Sequence, residues 1–149
     1  MSDDYEQFKR ACGQIKRENT ALLKKFATWM HKQGASERTV GTHLSNAAFY
    51  IQEYLLYEQP LRPGEGTSGI GMYLGYWFIR KAAWSSPANV KNNATSLVKF
   101  YSFMLAKGLI TAEQLARMRS AIRAEMPHWQ ERARRYNDPA INDPGKIWI

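Results

Sequence analysis

Between Ser85 and Gly108 the chain places Asn89, Lys91, Asn92, Asn93, Ser96 and Lys99 and no acidic residue. Asparagine amides can read base edges, and lysine and serine can hold phosphate oxygens, so this set suits a helix face laid against duplex DNA. On an earlier helix-patterned stretch Arg38, Thr42, Ser45 and Gln52 face away from the apolar stripe, with Thr39 and His43 on its flanks. From Arg117 to Arg135 every basic residue apart from His128 is arginine, and Arg132, Arg134 and Arg135 stand close together. A planar guanidinium fork suits phosphate better than a lysine point charge does. Each set also has a plainer reading, as an ordinary solvated helix face.

Catalytic chemistry lacks its parts. His31, His43 and His128 have no histidine or cysteine at ligand spacing, so no metal is expected, and His43 reads as a packed histidine. The lone Cys12 falls at helical spacing between Phe8 and Ile15, as a buried structural thiol would, and fits a reducing compartment. Gly64, Gly66 and Gly69 spell G-x-G-x-x-G. A helix pattern precedes them instead of a strand, and no phosphate-binding Lys with an adjacent Ser or Thr follows. Residues 59–67 are therefore expected to be a flexible connection. With no paired acids and no activated nucleophile, neither a catalytic residue, a cofactor nor a small-molecule substrate is assigned.

The 149 residues, 44% of them hydrophobic, predict one globular domain with its own core, and the formal charge of +8 favours a polyanionic partner. No apolar run approaches the roughly 20 residues that span a bilayer, and the first residues are acidic and polar. The expectation is a cytoplasmic protein, nucleoid-associated where DNA is the partner, with no membrane contact.

Helices must position these sets. Tyr5, Phe8, Cys12, Ile15, Asn19, Leu22, Phe26 and Trp29 form a heptad seam. It reads as one long helix, or two broken near Asn19 and Thr20, packed on the chain's own core. It also allows a paired helix between copies, with Asn19 fixing register. Gly34 stops this helix and Ser36 caps a second to about Glu58, whose inner stripe is Val40, Leu44, Ala47, Ala48, Ile51, Tyr54 and Leu55. A third, about Ser68 to Trp84, buries Ile70, Tyr73, Leu74, Trp77 and Phe78. Ser86, Pro87 and Gly108 bound a fourth, with Val90, Ala94, Leu97, Val98, Tyr101, Met104 and Leu105 inward. Thr111 and Gln114 make the capping box of a fifth, which Pro127 should break or kink before a short helix to Tyr136 and an extended tail. The fold class expected is all-α, a compact bundle of four to five helices. Residues 1–19 are read as an N-terminal extension, 20–126 as the core and 127–149 as short helix and tail.

The run FATWMHKQGASERTVGTHLSNAAFYI, followed by a loop, a short helix and NVKNNATSLVKFYSFMLAKGLI, resembles the SAM-like core-binding domain of tyrosine recombinases, the phage integrase group. The resemblance covers Thr20 to Ile110. It rests on Phe26 and Trp29 before Gly34, Ser36 with Thr39, and Lys99, Phe100, Tyr101 and Phe103 before Gly108 and Ile110. His43 departs from it, standing where the family often has an aromatic residue. In that family the domain is half of a clamp around DNA, and its second and fourth helices approach the major groove. The resemblance thus implies contacts by Arg38, Thr39, Thr42 and Ser45 and by Asn89, Lys91, Asn92, Ser96 and Lys99. Arg132, Arg134 and Arg135 are added from the arginine cluster.

The family cuts DNA with a tyrosine nucleophile helped by arginines and a histidine, including a His-x-x-Arg pair in a separate C-terminal domain. None of the three histidines here is followed by Arg at that spacing, and Tyr136 lacks the constellation that would activate it. The chain ends where such a domain would begin. The expectation is a DNA-binding module without strand-cleaving activity of its own, with duplex DNA as partner and a second copy or a recombinase catalytic domain beside it. The alternative is a helical interaction module that uses the Tyr5 to Trp29 seam or the apolar end at Trp148, with the charge keeping it soluble.

Overall fold

The computed structural model describes residues 2–82 and 85–139, and among them every regular element is helical. Gly34 and Gly108 take left-handed φ values of 88° and 72°, a region that favours glycine, and each ends a helix as its sequence position predicts.

The first helix, α1, runs unbroken over Ser2–Lys32, straight through Asn19. Its seam is spent on the chain's own core from Ile15 onward: Ile15, Asn19 and Phe26 are buried, with Met30 of the same helix. The Asn19 amide donates to the Ile51 carbonyl at 3.2 Å and to Gln52 Oε1 at 2.8 Å. The buried asparagine thus registers α1 on its neighbour within one chain, and Gln52, read as facing away, turns toward it. Earlier turns stand outside the core, with Tyr5 61% exposed. The Cys12 Sγ lies 3.9 Å from the Leu56 carbonyl, and burial pushes this half-buried thiol up, away from reactivity.

The second helix, α2, spans Glu37–Ala48 and continues in π geometry over Phe49–Tyr54, stopping short of the Glu58 expected. Its N-cap is Ser36, whose hydroxyl accepts the Thr39 N–H at 3.2 Å. The third, α3, is continuous from Ile70–Met72 through a π stretch Tyr73–Trp77 to Phe78–Lys81. Trp84, its expected end, lies outside the described residues. The two widened stretches face each other, and the rings of Phe49, Tyr50, Tyr54, Tyr73 and Trp77 pack there at centroid distances of 4.7–6.4 Å.

The fourth helix, α4, spans Pro87–Ala106 with Ser86 accepting the Asn89 N–H, as its capping residues predict. It is flanked by α2 on one side and the fifth helix on the other, so its buried sector is wider than one stripe. Asn93 and Ser96, read as outward, are inside it, 2% and 0% exposed. The fifth helix, α5, runs over Ala112–Asn137, opened by the reciprocal Thr111 and Gln114 bonds. Pro127 does not end it, against the expectation of a break and a short separate helix. Both halves are anchored, Leu115 and Met118 before the proline and Trp129 and Ala133 after it, and that burial offsets the missing backbone bond. Because Pro127 is exposed, Pro127→Ala should stabilise the fold by about 1–2 kcal/mol, part of the ~3 kcal/mol an interior proline costs. Chemical denaturation would measure it.

The connection over 59–67 is not the flexible one expected. It contains a 3₁₀ turn, Pro63–Glu65, and its backbone is fastened from the core: the Tyr101 hydroxyl donates to the Pro63 carbonyl at 2.7 Å and the Tyr50 hydroxyl to the Gly66 carbonyl at 2.6 Å. Gly66 is required by this approach, since a Cβ there would lie 2.6 Å from a Leu55 methyl. Arg62 adds an exposed ion pair to Glu18 at 2.8 Å, holding that carboxyl down at about 2. Of the tail, residues from 140 on lie outside the described set. Among the described residues no helix is long and apolar enough to cross a membrane.

Candidate nucleic-acid interface

A small polar lock holds α2 against α4. His43 Nδ1 lies 2.8 Å from Ser96 Oγ, and the Asn46 amide donates to the same oxygen at 2.9 Å. Since Asn46 already uses that oxygen as an acceptor, the arrangement suits a neutral ring whose Nδ1 takes the hydroxyl proton. Burial pushes the His43 imidazole below its ordinary value, and the Lys99 ammonium adds to the effect. Ser96 therefore cannot touch DNA: at 0% exposure it is a spacer between helices.

Either side of this lock, the remaining residues of the two sets come to the surface. Arg38, Thr39, Thr42 and Ser45 of α2 are exposed, as are Lys91 and Asn92 of α4, while Asn89 and Lys99 are half-buried. The Thr42 hydroxyl donates to the Arg38 carbonyl at 3.0 Å, and Thr39 Oγ1 accepts from the Ser36 hydroxyl at 3.0 Å. Lys99 is drawn toward the end of α1, donating to Gln33 Oε1 at 3.3 Å with its ammonium 5.4 Å from the Trp29 ring centre. The acid of this region is Glu37, beside Arg38 and 3.5 Å from His31 Nε2.

The arginine cluster near the end of α5 does not form one patch. At 100° per residue Arg132 and Arg134 point about 200° apart. Arg132 covers the Tyr76 ring at 4.5 Å and Arg134 pairs with Glu131, so two of the cluster are engaged within the chain. Arg135 is exposed.

Sequence reasoning missed Arg119 and Arg123. With Lys91 they line a cleft of about 440 Å³ between α4 and α5, floored by Val98, Ile122 and Met126. The available signal was their spacing of four on either side of Ile122, which puts both on one edge of the inward stripe; the pairing of α5 with α4 was not readable. No group of three His, Cys, Asp or Glu side chains that could hold a metal ion occurs among the described residues. No family model, no curated protein and no solved structure matches the chain.

Proposed function

We propose that the chain is a DNA-binding module of the tyrosine recombinase core-binding kind, gripping duplex DNA without cutting it. The observation that carries this reading is the His43, Ser96 and Asn46 lock, which joins two adjoining helices that expose Arg38, Thr39, Thr42 and Ser45 on one and Lys91 and Asn92 on the other. Backbone neutralisation supplies the affinity and the amides and hydroxyls supply base contacts. Cleavage is left out because none of the three histidines is followed by Arg at the His-x-x-Arg spacing and His43 is committed to Ser96. The alternative, an oligomer contact along the Tyr5 to Trp29 seam, has Tyr5 and the half-buried Phe8 and Cys12 in its outer turns, since the seam packs inward from Ile15.

Fluorescence anisotropy of duplex DNA at several salt concentrations tests the reading. About five phosphate contacts give a log–log salt slope near −4 to −5, and Arg38→Ala/Lys91→Ala should flatten it by about two. Absence of binding at low salt would sink the DNA reading, and a mass that rises with protein concentration would then favour self-association.

A further inference from the structure

We infer that the α4–α5 cleft is a phosphate-binding strip, in which Lys91, Arg119 and Arg123 hold a nucleic-acid backbone that continues past the α2–α4 face onto a third helix. The inference rests on the DNA-binding reading and adds Arg119 and Arg123, which the resemblance does not include, to Lys91, which it does.

Several of the chain's other cations are engaged within it. Arg62 is paired with Glu18, Arg117 with Glu113 and Arg134 with Glu131. Arg132 lies on Tyr76, Lys81 on Tyr57 and Lys9 on Tyr5. Lys91, Arg119 and Arg123 are exposed and have no such partner among the described residues, yet all three face one cleft. Like charges brought together without an intervening acid raise the local potential, and a polyanion relieves it. Among the described residues no carboxylate lines the cleft to repel a phosphate.

Geometry supports a strip over a point site. Arg119 and Arg123 are one turn apart, about 6 Å along the α5 axis, so their guanidinium groups can serve successive positions of an extended anion. Their aliphatic stems can lie over the half-buried Ile122 and Met126, which leaves the charged heads at the rim. Lys91 belongs both to this cleft and to the exposed face of α4, so the two surfaces are continuous.

The test compares two variants that each remove two positive charges: Arg119→Ala/Arg123→Ala in the cleft, and Arg10→Ala/Arg17→Ala on α1, away from it and outside the proposed DNA face. With a duplex of arbitrary sequence, the cleft variant should flatten the salt slope by about 1.8, at 0.9 per phosphate contact, equally for unrelated sequences. The control should leave the slope within about half a unit of wild type. Equal changes in the two variants would reduce the effect to net charge and overturn the strip. An unchanged slope in the cleft variant, beside the expected response of Arg38→Ala/Lys91→Ala, would overturn the strip and leave the DNA reading standing. No DNA binding by wild type would remove both. Poly-L-glutamate provides the remaining arm: if the cleft variant loses its binding while the DNA slope stays unchanged, the cleft takes acidic polypeptide instead.

Discussion

Trp129→Ala is expected to destabilise the bundle by about 3–5 kcal/mol, the range for removing a large ring from a packed core. Trp129 is 2% exposed and fits against α3 where Gly75 has no side chain; a Cβ there would sit 2.9 Å from the indole Cδ1. The fit is two-sided, so neither partner can relax far into the void. The consequence is concentrated after Pro127, where one backbone bond is already missing. Without the indole, the last turns of α5 keep Ala133 in the core, the Gln130 amide on the Pro87 carbonyl at 3.1 Å and the Asn137 amide on the Ser85 carbonyl at 2.7 Å. Denaturant titration should show the loss, and hydrogen exchange should show residues 128–137 opening before the rest. A loss below about 1 kcal/mol would mean that these turns contribute little to the cooperative fold.

Ser96→Ala should cost about 1–3 kcal/mol, because it leaves the Asn46 amide and His43 Nδ1 facing a methyl group where both had a hydroxyl. The same contact makes stability depend on pH. The folded imidazole is held below its ordinary value by burial and then by Lys99, whereas the unfolded one titrates near 6.5. As pH falls through about 6.5 the unfolded chain takes up a proton that the folded one refuses, so stability declines. The decline levels off once pH is below the folded value. Thermal melts of wild type and His43→Gln between pH 5 and 8 isolate this component, which the variant should lack. A His43→Gln profile that parallels wild type would remove His43 as its source.

Helix ends were legible because each depends on a few adjacent residues. Ser36, Ser86 and the Thr111 with Gln114 box cap as their side-chain chemistry requires, and Gly34 and Gly108 stop as a positive φ requires. The π stretches were not legible, since no local residue pattern marks them, and the meeting of their rings across α2 and α3 is a relation between distant segments. Ser96 was misread for a related reason: a single stripe describes a helix with one neighbour, and α4 has one on each side. In the candidate interface, Arg38, Thr42, Ser45 and Asn92 reach the surface as their spacing predicts, and Thr39 and Lys91, which the resemblance adds, are exposed too. Proximity along the chain misled at Arg132 and Arg134, which diverge around the axis, while Lys91 and Arg123, 32 positions apart, share a cleft.

The two tyrosine hydroxyls that fasten the connection after α2 reach it over sequence separations of 16 and 38 residues. Tyr50 is local enough to find Gly66 early, but Tyr101 can reach Pro63 only after α4 has docked. The order of that segment is therefore borrowed from a helix formed later in the chain. A ribosome that had not yet released Tyr101 would hold a nascent chain in which the segment had the Tyr50 bond and the exposed Arg62–Glu18 pair but lacked its second buried clasp, which waits for α4 to emerge.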